Sequence, residues 1–368
     1  MTASLETTFI AGAATVAGTR RYRNRFTSRF QADFYRDAIG GLPISSIGIG
    51  TYLGESDDRD DDLYTATITQ AVIRGINLVD TAINYRCQRS ELSVGRALQA
   101  LLREGEVARD EVVVCTKGGY IPLDRVQPPS RAAYQSYVQR EFYAHGIMRP
   151  DDVVAGGHCL APGYLAHQLA RSRTNLGTQV IDIYYLHNPE QQLDAIENGV
   201  FLERMRVAFQ LLEERAAQGD IGQYGCATWN GFRVPPGESS HLSLADLVEV
   251  AITVGGKDHK FRVIQLPINL AMVEAIRQPT QRLPDGRTVT LLEAAREMGI
   301  TVVASASLLQ AKLASGLPPQ LRDVFPALAT DAQRALMFTR TVPGVTAALV
   351  GMKSVAHLQE NLDAVLAT

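Results

Sequence analysis

Short apolar runs alternate along the chain with longer segments in which apolar residues recur three and four positions apart. The short runs are rich in β-branched residues, as buried strands are, whereas the longer periodic segments are typical of amphipathic helices. From residue 44 onward the pattern predicts eight strands: ISSIGIGT (44–51), INLVDTA (76–82), EVVVCTK (111–117), VIDIYYLH (180–187), IGQYGCATW (221–229), FRVIQLPIN (261–269), ITVVASASL (300–308) and VTAALVGM (345–352).

The predicted helices follow the strands one by one, over residues 61–75, 90–105, 162–177, 201–219, 243–256, 291–299, 330–344 and 354–368. Eight consecutive βα units with strands buried on both faces form either a closed barrel or an open doubly wound sheet, and the number eight favours a (β/α)8 TIM barrel. Glycines stand at or just after six helix ends, where a left-handed residue closes a helix: Gly75, Gly105, Gly177, Gly219, Gly299 and Gly344.

An open sheet that binds a dinucleotide usually carries GxGxxG after its first strand. The nearest match here is formed by Gly48, Gly50 and Gly54, and its last glycine comes one place late. This mismatch disfavours a Rossmann sheet. Because no internal repeat or low-complexity linker divides the chain, we expect one barrel domain over residues 1–368.

Two segments depart from a minimal barrel. Residues 1–43 precede the first strand and contain RRYRNRF, so we expect a lid or plug packed on the barrel with solvated arginines. Residues 118–162 form an insertion after the third strand, about three times longer than a usual loop. Its aromatic residues make it a candidate cover over the substrate: Tyr120, Tyr134, Tyr137, Phe142, Tyr143 and His145.

The composition is that of a soluble globular protein, with 46% hydrophobic and 20% charged residues. A net charge of −3 gives no electrostatic case for nucleic acid as the main partner. The four cysteines include no CxxC pair, which favours a reducing compartment. The apolar stretch of residues 9–18 is about half a membrane span and precedes the arginines, so we expect a cytoplasmic protein without membrane association; an organelle transit peptide is the alternative.

Four titratable residues come at or just after strand ends: Asp80, Tyr85, Lys117 and His187. In a βα barrel these ends form the mouth of the site, so the four side chains are expected to converge. Taken singly, Asp80 fits a helix cap, Tyr85 a packing aromatic and His187 a core histidine. Lys117 is harder to explain structurally, because a buried ammonium needs a carboxylate partner.

Together the four residues form a site that polarises a carbonyl group. Lys117 is expected to lower the pKa of the Tyr85 phenol by about one to three units, and Asp80 to fix Lys117. His187 and the phenol would then both donate to one carbonyl oxygen. No serine or cysteine has a paired base, and His158, His167 and Cys159 lack the further ligands of a zinc site, so we expect no activated nucleophile and no metal.

The chain resembles the aldo-keto reductase superfamily over nearly its whole length. The resemblance lies in INLVDTAINY (76–85), SELSVGRAL (90–98), RDEVVVCTKGG (109–119), SRTNLGTQVIDIYYLHNPE (172–190), GQYGCATW (222–229), VIQLPIN (263–269), VVASASLLQAKL (302–313) and GMKSVAHLQENL (351–362). It implies that Asp80, Tyr85, Lys117 and His187 are the catalytic residues. It further implies an NADPH-dependent, less often NADH-dependent, reduction of an aldehyde or ketone in which Tyr85 donates the proton.

The resemblance also implies where the cofactor lies. Gly50, Thr51 and Tyr52 would flank the nicotinamide ribose, and Ser305, Ala306 and Leu308 the pyrophosphate. Gln265 would hold the carboxamide, together with either Thr228 or Asn230. Lys353, Ser354, His357, Glu360 and Asn361 would hold the adenosine end, and Lys353 favours NADP(H) over NAD(H). The chain departs from the family at Ala227-Thr228, where Ser-Asn is common, and at Ser305, where an aromatic residue usually stacks on the nicotinamide.

Two other functions fit the same residues. One is a regulatory subunit that binds the cofactor with little turnover; the other is a lyase or isomerase that uses Lys117 and Tyr85 without nicotinamide. The sequence predicts a small-molecule carbonyl substrate, but it identifies neither that substrate nor the oligomeric state.

Overall fold

Eight parallel strands close into a barrel in the computed structural model, which describes residues 9–367. The prediction of a (β/α)8 barrel is confirmed. Residues 1–8 of the predicted N-terminal extension and Thr368 lie outside the described residues. The strands are β1 (Ile47–Gly50), β2 (Leu78–Asp80), β3 (Val113–Gly118), β4 (Ile181–His187), β5 (Ile221–Ala227), β6 (Phe261–Pro267), β7 (Thr301–Ser305) and β8 (Val345–Gly351).

Each strand pairs with its neighbour in the sequence, and β8 pairs with β1. The register brings chemistry-bearing residues to one end of the barrel: Gly50 pairs with Asp80, and His187 with Ala227, which also pairs with Gln265. Close packing limits the choice of residue inside this wall. A Cβ on Gly225 would lie 1.8 Å from the carbonyl oxygen of Val263, so this position requires glycine.

Eight helices surround the barrel, one after each strand. They are α1 (Asp58–Ile73), α2 (Arg89–Arg103), α3 (Pro162–Leu176), α4 (Asn198–Ala217), α5 (Leu244–Gly255), α6 (Leu291–Glu297), α7 (Asp331–Thr341) and α8 (Val355–Leu366). Side chains at N-cap positions fix the start of several helices by accepting from backbone N–H groups: Asp57, Ser243, Thr290, Thr330 and Ser354. All six glycines predicted at helix ends have positive φ angles, as left-handed caps require.

The N-terminal segment closes the end of the barrel opposite the strand C-termini. It contains a helix (Val16–Asn24) and a hairpin of two short strands, Tyr35–Ala38 and Leu42–Ser45. Ala38 and Ile44 of the hairpin pack in one cluster with Leu78, Val113 and Ile183 from the barrel strands. The expectation of a plug is therefore confirmed, and the plug forms the floor of the barrel.

Arg20, Arg21 and Arg25 of this segment are exposed, as expected, but two of them also form ion pairs that the sequence did not predict. Arg21 pairs with Asp110 and Glu111, and Arg25 also pairs with Glu111, at distances of 2.6 to 2.9 Å. The Glu111 side chain is only 4% exposed, and a buried carboxylate is unfavourable unless it is paired with cations such as these two arginines. The two arginines therefore fasten the N-terminal helix to the start of β3.

The insertion between β3 and α3 packs against the side of the barrel. It forms a helix (Arg131–Val138) that continues into a π-helical turn (Gln139–Tyr143), and then a two-stranded hairpin, Val153–Val154 with His158–Cys159. Phe142 is 2% exposed and belongs to the main hydrophobic core. Smaller elements elsewhere are the helices Glu274–Arg277 and Leu321–Val324 and the hairpin Gln281–Arg282 with Thr288–Val289.

Candidate active site

The C-terminal strand ends surround a cavity of about 720 Å³. Asp80, Tyr85 and His187 line it, while Lys117 lies beneath their side chains and is fully buried. The four residues that the sequence predicts as one site are therefore brought together by the barrel. A cavity of this size is typical of sites that hold a small molecule or cofactor.

A buried ion pair forms the base of this cavity. Lys117 Nζ lies 2.5 Å from Asp80 Oδ2 and donates to the carbonyl oxygen of Thr81 at 2.8 Å. The other carboxylate oxygen, Asp80 Oδ1, accepts from Gln265 Nε2 at 2.8 Å. Burial alone would lower the pKa of Lys117, but the adjacent Asp80 carboxylate raises it above the ordinary value, so the ammonium stays charged.

Tyr85 stands beside this ammonium at the start of a tight turn. Lys117 Nζ lies 4.9 Å from the centroid of its ring. The next three residues, Arg86, Cys87 and Gln88, all have positive φ angles, a strained backbone that the surrounding contacts must hold. Arg86 supplies such contacts, because its buried guanidinium pairs with Asp61 at 2.6 Å and donates to backbone carbonyl oxygens of the loop after β1.

The pKa of Tyr85 is shifted in the direction opposite to the sequence-based expectation. Burial raises the pKa of the phenol above its ordinary value, and the positive charge of Lys117 only partly offsets this effect. Lys117 acts in the predicted direction, but the net lowering that the sequence suggested is not found, because desolvation outweighs the attraction between phenolate and ammonium. The phenol is protonated at neutral pH and can act as a hydrogen-bond donor.

His187 presents a neutral imidazole next to Tyr85. The two ring centroids are 5.7 Å apart and the rings are nearly perpendicular. Burial, followed by the positive charge of Lys117, holds the pKa of His187 well below its ordinary value. A neutral imidazole and a protonated phenol are thus adjacent at the cavity wall, and both can donate to one oxygen atom.

Most of the residues predicted to bind a cofactor line the same cavity. They are Gly50, Thr51, Tyr52, Thr228, Gln265, Ser305, Ala306, Leu308, Lys353, His357, Glu360 and Asn361. Ser354 is not among the lining residues, because its hydroxyl caps α8 by accepting from the backbone N–H of His357. The buried Thr228 Oγ1 has no hydrogen-bond partner within residues 9–367, so it is free to bind a polar group of a ligand.

Lys353, which lines the cavity, forms an ion pair with Asp60 of α1. Its Nζ lies 2.8 Å from Asp60 Oδ2, and the same oxygen accepts from the backbone N–H of Glu55 at 2.7 Å. Asp60 is 5% exposed, whereas the Lys353 side chain is 41% exposed. The lysine charge therefore remains accessible to an anionic ligand at this end of the cavity.

Comparison with known proteins identifies the family. A model described as the aldo/keto reductase family matches residues 46–234, which is half of the chain. This protein is an aldo/keto reductase family member. The matched stretch contains the whole set of Asp80, Tyr85, Lys117 and His187.

Two curated relatives of this aldo/keto reductase are enzymes. The chain is 30% identical over 151 residues to the NADH-specific methylglyoxal reductase of Escherichia coli (strain K12), which is 40% of this chain and 39% of the relative. It is 31% identical over 192 residues to the D-threo-aldose 1-dehydrogenase of a Pseudomonas species, 51% of each chain. The matches thus span about half of these relatives or less.

Solved aldo-keto reductases share the fold of the chain. One from Klebsiella pneumoniae, in complex with NADP and acetate, superposes with a TM-score of 0.59 at 19% identity and covers 90% of this chain and 89% of its own. One from Bacillus halodurans, in its holo form, superposes with a TM-score of 0.57 at 18% identity and covers 90% of each chain.

Several cavity residues of this aldo/keto reductase were missed by sequence reasoning. Asn84 directly precedes Tyr85, and Trp229 ends the motif GCATW, so proximity to predicted residues is a signal that could have found both. Tyr120 is the only residue of the 118–162 insertion that lines the cavity, so the expectation of an aromatic cover is wrong for most of that segment. Gln310 and Ala311 also line the cavity and lie within the motif VVASASLLQAKL, so the same signal could have found them.

Within residues 9–367, no group of three or more His, Cys, Asp or Glu side chains has the arrangement of a metal site. In the same part of the chain no helix combines the length and apolar character needed to cross a bilayer.

Proposed function

We propose that this protein is an NADPH-dependent reductase of an aldehyde or ketone. The observation that carries the proposal is the buried Lys117–Asp80 pair beneath the protonated phenol of Tyr85, at the base of a cavity large enough for a cofactor and a substrate. The bound nicotinamide would supply a hydride to the carbonyl carbon. Side chains of the protein would donate the proton, bind the carbonyl oxygen and stabilise the charge that develops.

Tyr85 is proposed to donate the proton that the developing alkoxide needs. Lys117 stabilises the phenolate left behind, because its ammonium is already desolvated and oriented by Asp80. His187 would hold the carbonyl oxygen with a second hydrogen bond, for which a neutral imidazole is suited. Positioning and electrostatic stabilisation together supply on the order of 10 kcal/mol in such sites.

The cavity residues fit a nicotinamide dinucleotide. Thr228 Oγ1 offers an unpartnered hydrogen-bonding group in the position proposed for the carboxamide, and Gln265 is fixed beside it by Asp80. Lys353 offers an accessible positive charge at the other end, which favours a 2′-phosphate and hence NADP(H), with NAD(H) as the second possibility. The NADP complex of the relative from Klebsiella pneumoniae supports the first, and the NADH-specific relative from Escherichia coli the second.

Replacement of Tyr85 by phenylalanine tests the mechanism. We expect Tyr85→Phe to bind NADPH with unchanged affinity but to lose about 100-fold or more in kcat, because the ring is kept and only the proton donor is lost. Tyr64→Phe is the matched control, since Tyr64 also lines the cavity but its hydroxyl donates to the carbonyl oxygen of Leu53.

The measurement is NADPH oxidation against a panel of aldehydes, ketones and quinones, with NADH in parallel, alongside fluorescence titration of cofactor binding. Near-normal turnover by Tyr85→Phe contradicts the assigned role. Tight cofactor binding by the unaltered protein without turnover of any carbonyl compound would favour the regulatory alternative.

A further inference from the structure

The cavity wall carries little positive charge. Within residues 9–367, Lys353 is the only lysine or arginine among the residues that line the cavity. Glu360 of α8 lines the cavity as well and adds a carboxylate, which accepts from Thr330 Oγ1 at 2.6 Å. The charge that Lys353 can offer to a ligand therefore matters for which anionic ligand the cavity prefers.

Asp60 takes up part of that charge without lining the cavity itself. Lys353 Nζ lies 2.8 Å from Asp60 Oδ2. The same oxygen accepts from the backbone N–H of Glu55 at 2.7 Å, and a Cβ on Gly54 would lie 2.4 Å from it. The loop after β1 thus packs closely on this carboxylate, so Asp60 is a fixed part of the structure.

Asp60 stays charged, and the lysine stays beside it. Burial alone would raise the pKa of Asp60, but hydrogen bonds from Lys353 and from the backbone N–H of Glu55 hold this pKa below its ordinary value. Asp60 is only 5% exposed, so a lysine that moved away would leave a buried carboxylate without its ion-pair partner. We therefore expect Lys353 to keep this contact when an anion binds.

This arrangement affects the two nicotinamide cofactors differently. The 2′-phosphate of NADPH carries about two negative charges at neutral pH, and the nearby carboxylate of Asp60 opposes its approach to Lys353. NADH has a neutral hydroxyl group in place of that phosphate. The charge of Asp60 should therefore weaken the binding of NADPH much more than the binding of NADH.

We propose that Asp60 is a cofactor-specificity residue, which reduces the preference for NADPH over NADH by holding Lys353 in an ion pair. The proposal rests on the proposed function, in which this end of the cavity binds the adenosine part of the cofactor. Asp60 acts through Lys353 and touches neither the nicotinamide nor the carbonyl compound. It sets which cofactor binds and takes no part in the transfer of hydride or proton.

Asp60→Asn removes the charge and keeps an oxygen that can accept from Glu55. We expect the Kd for NADPH to fall about 5-fold to 10-fold and the Kd for NADH to change by less than about 2-fold, as fluorescence titration measures. Asp62→Asn is the matched control, because it removes the same charge from an 80% exposed side chain of the same helix. A higher Kd for NADPH, or equal changes for both cofactors, would overturn the proposal.

A double-mutant cycle tests whether Asp60 acts through the lysine. We expect Lys353→Met to raise the Kd for NADPH, and Asp60→Asn to change that Kd by less than about 2-fold when it is added to Lys353→Met. The double variant has no unpaired charge at this position, so its fold should be kept. A gain in NADPH affinity as large as in the unaltered protein would show that Asp60 acts without Lys353 and would contradict the proposal.

Two adenosine nucleotides separate this proposal from the reductase function, because neither contains nicotinamide. By calorimetric titration, we expect Asp60→Asn to lower the Kd for adenosine 2′,5′-bisphosphate as it does for NADPH, and to leave the Kd for adenosine 5′-monophosphate unchanged. If these results are found but no carbonyl compound is reduced, the reductase function is wrong and the role of Asp60 stands. If carbonyl compounds are reduced but the bisphosphate binds equally to both proteins, the role of Asp60 is wrong and the reductase function stands.

Discussion

At the scale of single residues, the active site depends on the buried positive charge of Lys117. Lys117 is fully buried, and its pKa is nevertheless raised, because the Asp80 carboxylate outweighs the cost of burial. The same charge is the main influence that lowers the pKa of Tyr85 against the effect of burial. The Lys117 ammonium therefore affects both the stability of the site and the pKa of Tyr85, the proposed proton donor.

Lys117→Met removes this charge and keeps most of the side-chain volume. We expect kcat for carbonyl reduction to fall about 100-fold or more, because the phenolate formed in the reaction loses its stabilising neighbour. The Tyr85 pKa should rise further, so any loss of reductase activity at alkaline pH should begin at a higher pH than in the unaltered enzyme. The pH dependence of kcat under saturating NADPH measures both effects.

The control for this variant is Lys257→Met, at an exposed position far along the chain. Lys117→Met is also expected to lose stability, because Asp80 is left as a buried carboxylate without its cation. Circular dichroism at each pH establishes that the protein measured is folded. An unchanged kcat, or an alkaline limb shifted to lower pH, would show that Lys117 does not act on Tyr85.

At the scale of elements, the insertion after β3 fixes part of the active site through hydrogen bonds. His158 Nε2 donates to the carbonyl oxygen of His187 at 2.7 Å, and His158 Nδ1 accepts from Gln192 Nε2 at 2.8 Å. A Cβ on Gly119 would lie 2.9 Å from both ends of the first of these bonds, so the close approach requires glycine. The hairpin that carries His158 thus fixes the backbone of a site residue.

We predict that His158 is a positioning residue for His187. His158→Phe should lower kcat about 10-fold with little change in the Kd for NADPH, because the ring fits but the carbonyl oxygen of His187 loses its donor. His158→Gln should recover most of the loss, since its amide can donate to the same oxygen. His167→Phe, at an exposed position in α3, is the control. Equal losses in the two His158 variants would indicate a merely structural role.

The pH dependence of stability gives a second measurement on this element. Burial lowers the pKa of His158 to about 4, whereas the unfolded chain has an ordinary value near 6.5. Stability from this group is therefore complete above pH 6.5 and is lost as the pH falls towards 4, because only the unfolded state takes up the proton. His158→Gln should lose less free energy of unfolding between pH 6.5 and 4.5 than the unaltered protein, as urea titration would show.

At the scale of the whole molecule, the floor and the mouth of the barrel are separate. Asp182, at the start of β4, accepts from the backbone N–H groups of Ala14 and Val114 and pairs with Arg109 at 2.8 Å. This buried pair joins the N-terminal segment to two strands. It lies at the end of the barrel opposite the cavity.

Asp182→Asn should therefore change stability without changing activity. We expect the free energy of unfolding to fall by about 3 to 5 kcal/mol, because Arg109 is left as a buried cation without its partner. The kcat and the Kd for NADPH of the folded variant should be unchanged. Asp110→Asn, which removes a partly exposed ion pair with Arg21, is the control and should change the free energy of unfolding far less, because solvent screens this pair. A large loss of kcat in folded Asp182→Asn would show that floor and mouth are coupled.

The barrel and the strand-end residues could be predicted from the sequence because each depends on local pattern. A strand buried on both faces is apolar throughout, and a charged residue at its end, such as Lys117, then stands out. The contacts of His158 and the hairpin of the floor could not be predicted, because they join residues far apart in the chain. The direction of the Tyr85 pKa shift depends on the balance between burial and a neighbouring charge, and only coordinates give that balance. Whether residues 1–368 form a single domain stays a prediction.

The hairpin of Tyr35–Ala38 and Leu42–Ser45 closes the barrel at its floor, and the cavity lies at the opposite end. Under the proposed function, the cofactor and the carbonyl compound both reach Tyr85 from that end, and we expect the one bound deeper to enter first and leave last. Release of this first reactant, once converted, is then expected to limit the rate of turnover.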